Sequence, residues 1–255
     1  MMLQIRPLRI ATVFSGIVYR VVICLLLITW MITLVACAPV AGPLYSDSQK
    51  VSDSYAEMGF AYLLQGNRER AKRSLVKALS IDPRSQTALH GMALVYRSEG
   101  EDTLAEQYFL QALDRDRHFS AARNNFAAFL YEKGRYNEAC KQLKLTVSDT
   151  LYRKRWQAFE NLGLCLLKID QPHQAEDAFL KALRLNARSP IALLEMADRR
   201  HSQKQPLAAW LFLQEYMSVA KMTSRSLRLG IELADVLNMY DERRHLREEL
   251  ARLKQ

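Results

Sequence analysis

A set of small and apolar residues returns along this 255-residue chain with a nearly constant period. Six copies of the set begin at residues 55, 89, 123, 159, 193 and 227, which are 34, 34, 36, 34 and 34 residues apart. The single irregularity is two extra residues before Trp156. Copies that stay in phase over most of a chain indicate one structural unit that is stacked repeatedly, and this limits the possible folds more than composition does.

The first copy shows what the unit is. Its small and large residues are, in order, Tyr55, Met58, Gly59, Tyr62, Ala71, Leu75, Ala78 and Pro83. This order matches the template of the tetratricopeptide repeat, a pair of antiparallel helices. One such pair cannot bury its apolar face alone, so neighbouring pairs must stack. The sequence therefore predicts an all-α fold, an α-solenoid of about six tetratricopeptide repeats that forms a right-handed superhelix of antiparallel helix pairs.

The predicted solenoid covers residues 52–255. Its repeats start near residues 52, 86, 120, 156, 190 and 224, and a closing helix occupies about 241–253. Only 9 Gly and 7 Pro occur in the chain, which favours helix nearly throughout. Gly66, Gly100 and Gly134 follow predicted first helices, where a left-handed residue is expected to end the helix.

The N-terminal segment has the layout of a secretory signal. Arg6, Arg9 and Arg20 occur without any acidic residue, and the 16 residues from 21 to 36 carry no charge. A transmembrane helix needs about 20 apolar residues, so this stretch is short for a span. An uncleaved inner-membrane anchor, with the repeats in the periplasm, remains an alternative at this point.

Leu34-Val35-Ala36-Cys37 resembles the lipobox of bacterial lipoproteins, and small and turn-prone residues follow it. In that family the chain is cut before the cysteine, which then receives lipid. The resemblance implies a signal peptide over 1–36, a lipidated tether over 37–51 and a covalent lipid on Cys37. Two or three acyl chains give nearly permanent membrane attachment. Ala38 after the cysteine implies the periplasmic face of the outer membrane.

Charge and motifs argue against nucleic acid and against catalysis. The formal charge of +9 includes three arginines of the signal segment, and the remaining basic residues are interspersed with acids rather than gathered with aromatic residues on one face. The chain has no phosphate-binding glycine loop and no H-E-x-x-H motif, and its five histidines are widely separated. We therefore predict no enzyme activity, no metal, no cofactor other than the lipid and no small-molecule substrate. The concave face of such a solenoid is expected to bind a protein segment.

Two cysteines remain after Cys24 and Cys37 are set aside, namely Cys140 and Cys165. They fall on the second helix of the third repeat and on the first helix of the fourth, which are packed neighbours in this type of solenoid. Such helices can supply the distance that a disulfide needs. Two buried free thiols are the alternative, and an oxidising periplasm favours the disulfide.

The third and fourth repeats carry a family resemblance. The segments "ARNNFAAFLYEKGRYNEACKQL" and "YRKRWQAFENLGLCLLKIDQPHQAEDAFLKAL" resemble the type IV pilus biogenesis lipoproteins of the PilF/PilW family. That family usually has Asn-Asn-Tyr-Gly where this chain has Asn124-Asn125-Phe126-Ala127, and Tyr-Pro where it has Tyr152-Arg153. The resemblance implies a pilotin, a lipoprotein that brings secretin subunits to the outer membrane and supports their multimerisation in pilus biogenesis. An adaptor for another envelope machine, such as peptidoglycan enzymes, is the alternative.

Repeat geometry suggests which residues line the groove. Asn125 and Asn161 occupy the same position of successive first helices, and Asn124 and Glu160 also match each other. These side chains are predicted to form a polar ladder that hydrogen-bonds the backbone of a bound segment. Asparagines near a helix start can instead satisfy local backbone groups. The complete set of predicted groove residues is Asn124, Asn125, Tyr131, Glu160, Asn161, Leu164 and Lys168.

Overall fold

The computed structural model describes residues 47–116 and 118–253. The predicted signal peptide, Cys37 and the first part of the tether lie outside these residues. Twelve α-helices make up the described part, which contains no strand. They are α1 Asp47–Leu64, α2 Arg68–Ile81, α3 Gln86–Glu99, α4 Asp102–Arg115, α5 Ser120–Glu132, α6 Tyr136–Ser148, α7 Arg155–Lys168, α8 Pro172–Leu185, α9 Pro190–Ser202, α10 Pro206–Val219, α11 Ser224–Val236 and α12 Tyr240–Arg252.

The helices form six consecutive pairs. Each odd-numbered helix packs most closely on the even-numbered helix that follows it, and it also contacts the neighbouring repeats. Within the described residues, the substantial contacts are confined to helices of the same repeat or of adjacent repeats, as expected when each repeat touches only its neighbours. The predicted all-α solenoid is confirmed.

One boundary differs from the prediction. Helix α1 begins at Asp47, so residues 47–51 are helical and do not belong to the predicted tether of 37–51. No Pro occurs between 47 and 64, and the single Gly, Gly59, lies where α1 packs closely on Leu75 of α2, so nothing interrupts the helix. The carboxylate of Asp47 in the first turn favours the helix N-terminus. The closing helix, predicted at 241–253, is Tyr240–Arg252.

A left-handed residue follows the first helix of every repeat. Gly66, Gly100 and Gly134 have φ of 73°, 79° and 74°, as their positions predicted. The three later repeats place residues with side chains at the same point, namely Asp170, Lys204 and Asn238, with φ of 56°, 58° and 59°. Left-handed backbone strains most residues other than glycine, so the later turns are held by their surroundings.

The core lies between the two helices of each repeat and continues from repeat to repeat. Its largest cluster extends from Leu89 to Met196, and smaller clusters flank it on both sides. Close crossings depend on the small residues of the pattern. A Cβ atom added at Gly163 would lie 2.5 Å from the Phe179 ring, so only glycine lets α7 approach α8 this closely. Among the described helices, none is long and apolar enough to cross a membrane.

Candidate partner-binding groove

Hydrogen bonds between side chains link the first helices of successive repeats. The Asn125 Nδ2 and His90 Nε2 atoms lie 2.9 Å apart and join α5 to α3. The Asn161 Nδ2 atom donates to the Asn124 Oδ1 atom at 3.1 Å and joins α7 to α5. Both links use the same two positions of the repeat, so these polar side chains form a ladder that connects the repeats to one another. Binding of a partner's backbone by the ladder stays a prediction.

Glu160 continues the ladder toward the fifth repeat. Its side chain accepts a hydrogen bond from the Ser189 hydroxyl. The Ser189 oxygen in turn accepts the Ala192 N–H at 3.2 Å and caps α9. Because burial disfavours the charged carboxylate, the pKa of Glu160 is raised to about 7. We call the contact between two successive repeats a joint. The joint between the fourth and fifth repeats therefore contains a carboxyl group that takes up a proton near neutral pH.

Asn124 and Glu160 do not face the groove, and their predicted contact with a partner is corrected. Asn124 is 7% exposed and Glu160 is 3% exposed. Their position on the helix points between adjacent first helices, where a polar side chain must find a partner inside the protein. Asn125 and Asn161 stand one residue further along and are half-buried.

His90 belongs to the same ladder and was missed by sequence reasoning. It lies 34 residues before Asn124 and is surrounded by the rings of Phe60, Phe109 and Phe119 at centroid distances of 5.3, 6.1 and 5.3 Å. This burial lowers its pKa to about 4, so the ring is neutral at neutral pH. The signal that could have found it is its register with Asn124 and Glu160, rather than any spacing between histidines.

A cavity of about 210 Å³ opens between α5 and α7. It brings together three predicted groove residues, Tyr131, Asn161 and Leu164. Most of its wall is apolar, and Asn161 and Glu132 add the polar groups. A concave, mainly apolar site with few polar groups is typical of places where a side chain from another molecule docks. Its lining residues are Ala127, Ala128, Tyr131, Glu132, Leu143, Asn161 and Leu164.

Lys168 lies at the end of α7 and is exposed. Its Nζ atom is 6.0 Å from the centroid of the Tyr136 ring, within the range of a cation–π interaction. Tyr136 packs edge-on against Tyr131 with 5.1 Å between centroids. Lys168 therefore lies near the cavity, since it contacts Tyr136 and Tyr136 packs on the cavity residue Tyr131. Its ammonium group adds a positive charge there.

Cys140 and Cys165 are joined by a disulfide in the structure, with 5.7 Å between their Cα atoms. This distance suits a disulfide. The link ties α6 to α7, the helices that contribute Leu143 and Leu164 to the cavity. Oxidation of the pair in the cell stays a prediction. Within residues 47–116 and 118–253, no three His, Cys, Asp or Glu residues are placed to hold a metal ion.

Comparison with known proteins defines the class first. Models of the tetratricopeptide repeat match residues 52–85, 88–119, 120–150 and 157–189. Together with the six stacked helix pairs, these matches make the chain a tetratricopeptide-repeat solenoid protein.

A curated relative then defines the family. The chain is 40% identical over 201 residues to the type IV pilus assembly protein PilF of Pseudomonas aeruginosa, covering 78% of this chain and 80% of that protein. It therefore belongs to the family of this pilus assembly protein. An uncharacterized protein of Haemophilus influenzae is 27% identical over 117 residues, which cover 46% of this chain and 65% of that protein.

Solved structures agree with this assignment. The Pseudomonas aeruginosa PilF structure superposes with a TM-score of 0.80 at 38% identity, covering 82% of this chain and 94% of that one. PilW, described as a widely conserved type IV pilus biogenesis factor, superposes with a TM-score of 0.69 at 24% identity, covering 78% and 92%. At that identity PilW supports the fold alone. The predicted resemblance to the PilF/PilW family is confirmed.

Proposed function

We propose that this chain is an outer-membrane lipoprotein, anchored through Cys37, that acts as a pilotin for the type IV pilus secretin. In this role it binds secretin subunits through its concave groove and supports their localisation and multimerisation. Membership of a pilus assembly family supports the pathway. The proposed role is one of binding rather than catalysis.

The observation that carries the groove assignment is the cavity between α5 and α7. Tyr131 and Leu164 present apolar surface there. Asn161 donates one amide N–H to Asn124, so its other N–H and its carbonyl oxygen can hydrogen-bond the backbone of a bound segment. Family identity alone does not place the binding surface. A mainly apolar site with a few fixed polar groups is suited to one large apolar side chain of an incoming segment.

The secretin state in cells tests the pathway. In a deletion strain we expect secretin monomers, misplaced in the inner membrane, and no surface pili. Restoring the wild-type gene should restore heat-resistant secretin multimers. Normal multimers in the deletion strain contradict the proposal, and recovery of a peptidoglycan hydrolase as the dominant partner supports the alternative adaptor role.

Cavity variants test the surface. Ala128→Phe fills the cavity with a large side chain without removing core atoms. Leu164→Ala removes an apolar side chain from the cavity wall and enlarges the cavity. Both should lower secretin multimers, while Leu211→Ala on α10, outside the cavity and 56% exposed, should not. Multimers that remain normal in a folded Ala128→Phe protein contradict the assignment of this cavity.

Anchoring is tested by labelling with radioactive palmitate. The label should appear on the wild-type protein and disappear in Cys37→Ala. Label that persists in Cys37→Ala contradicts lipidation of this residue, and a wild-type protein without label favours the uncleaved inner-membrane anchor.

A further inference from the structure

The loops that connect one repeat to the next form one edge of the solenoid, and basic side chains line this edge. They are exposed, and within the described part of the chain none of them lies within 4.0 Å of a carboxylate. We call them the loop-edge cations; they are Arg84, Arg153, Lys154, Arg188 and Lys221.

The acidic residues of the same loops are turned toward the protein. Asp82 and Asp149 are half-buried, and each accepts a backbone N–H from the residue two positions on, at 2.9 and 3.0 Å. Asp149 also accepts the Ser120 hydroxyl at 2.6 Å. The outer surface of the edge is therefore dominated by positive charge.

The opposite edge, where the two helices of each repeat turn, has a different charge pattern. There Lys133 pairs with Asp102 at 2.6 Å, and Arg135 pairs with Glu106 at 2.7 Å. These pairs neutralise part of the charge at this edge, although Lys204 is exposed there too. The loop edge, where five basic side chains lie outside any ion pair, is therefore the better suited of the two to an anionic surface.

The two-residue insertion adds an apolar group to the loop edge. It lengthens the loop between α6 and α7, and Leu151 in that loop is 89% exposed. Leu145, at the end of α6, is 50% exposed beside it, and Arg153 and Lys154 follow directly. An exposed apolar side chain beside basic residues combines the two interactions that hold a segment at a membrane surface, burial of apolar area and attraction to anionic lipid.

Helix α1 starts at the same edge. The Ser52 hydroxyl donates to the carbonyl oxygen of Ala78 at 3.0 Å, which places the first turns of α1 beside the last turn of α2. Nine residues separate Cys37 from Asp47, and they can span at most about 30 Å. A lipid on Cys37 therefore keeps the loop edge within reach of the bilayer surface.

From these observations we propose that the loop edge lies against anionic phospholipid headgroups, held by the loop-edge cations, with Leu151 inserted at the interface. This inference rests on the lipid anchor of the proposed function and adds an orientation to it. Because helix axes run from edge to edge, the helices stand upright on the membrane and the concave groove opens sideways to a partner.

The experiment uses the full lipidated chain, reconstituted into vesicles of phosphatidylethanolamine and phosphatidylglycerol. Thr150→Cys, beside Leu151, and Asn137→Cys, at the opposite edge, each provide one exposed site for an environment-sensitive fluorophore. Unsubstituted protein controls for labelling of Cys140 or Cys165. Lipids that carry a nitroxide should quench the label at 150 several-fold more than the label at 137.

The contribution of charge is tested on the same label. Arg153→Glu with Lys154→Glu, or high salt, should lower the quenching at 150 several-fold, because attraction to anionic lipid is electrostatic and screened. Arg70→Glu with Lys204→Glu, at two exposed basic residues of the opposite edge, is the matched control and should leave it unchanged. Vesicles of phosphatidylcholine alone should give weak quenching at both sites.

The outcomes separate this inference from the proposed function. The mass of the N-terminal peptide reports the lipid on Cys37, and a peptide without lipid overturns the anchor. If the lipid is present but both labels are quenched equally, the loop-edge orientation alone is wrong. Strong quenching at 150 in phosphatidylcholine overturns the role of the loop-edge cations.

Discussion

His90 and Glu160 occupy the same position in the second and fourth repeats, yet they respond to pH in opposite ways. Both are 3% exposed, and both link their repeat to the next one. Burial lowers the pKa of His90 to about 4 and raises that of Glu160 to about 7. Asn124 holds the equivalent position between them and does not titrate. The repeat thus fixes where a side chain lies, and the chemical type of that side chain determines how the stability of the joint changes with pH.

The joint between the third and fourth repeats should show the largest effect and no pH dependence. Its cysteines are 25 residues apart, so the disulfide should raise the free energy of unfolding by about 3.5 kcal/mol. Urea unfolding with and without reductant measures this difference. Cys140→Ala with Cys165→Ala is the control, and its midpoint should not respond to reductant. A difference in unfolding free energy between oxidised wild type and this double variant that changes strongly between pH 5 and 8 would contradict a joint without pH dependence.

The joint at Glu160 should weaken as pH rises. Between its ordinary pKa of 4.5 and about 7, the unfolded chain releases the proton that the folded chain keeps. The free energy of unfolding should therefore fall across this window by up to about 3 kcal/mol. Glu160→Gln should remove this fall, because the amide is neutral and still accepts from Ser189. Glu215→Gln, at an exposed site, should keep it.

The joint at His90 should weaken as pH falls, by a similar amount. Between its ordinary pKa of 6.5 and about 4, the unfolded chain takes up a proton that the folded chain excludes. His90→Gln should flatten the loss of stability in this window, measured by urea unfolding at several pH values. His173→Gln, at an exposed position in the first turn of α8, is the matched control. An unchanged slope in folded His90→Gln would mean that the joint is not held by a neutral imidazole.

The left-handed turns should give the smallest effect. Lys204→Gly should raise the free energy of unfolding by up to about 1 kcal/mol, because glycine adopts φ near 58° without the strain of a Cβ atom. Gly100→Ala, at the equivalent turn of the second repeat, should lower it by a similar amount. A Lys204→Gly protein that is less stable than wild type would show that lysine makes a compensating contact there.

The sequence was sufficient for the architecture because the period reports packing directly. Gly163 illustrates this, since its small size is required by the approach of Phe179. The start of α1 was placed too late because nothing in the repeat pattern marks where the first helix of the solenoid begins. Repeat register also found the ladder, but the register does not say whether a position points into the groove or between helices. Asn124 and Glu160 were therefore assigned to the wrong surface.

The cavity and the loop edge could not be predicted from the repeat pattern, because each is formed by residues of more than one repeat. Tyr131 and Leu164 were predicted to flank the groove, and the structure places them in one cavity with Asn161. The depth of that cavity depends on Ala127 and Ala128, which resemble ordinary core residues in the sequence. Likewise, the two-residue insertion was visible, but the exposure of Leu151 follows only from how the longer loop folds.

A photo-crosslinking amino acid in place of Tyr131 tests the central claim that the cavity between α5 and α7 binds the pilus secretin. In living cells that make pili, light should join this position to the secretin subunit, identified by mass spectrometry of the product. The same amino acid at Leu211, outside the cavity, should give no such product. Equal secretin crosslinking at both positions, or crosslinking at 131 to a different envelope protein alone, would contradict the account.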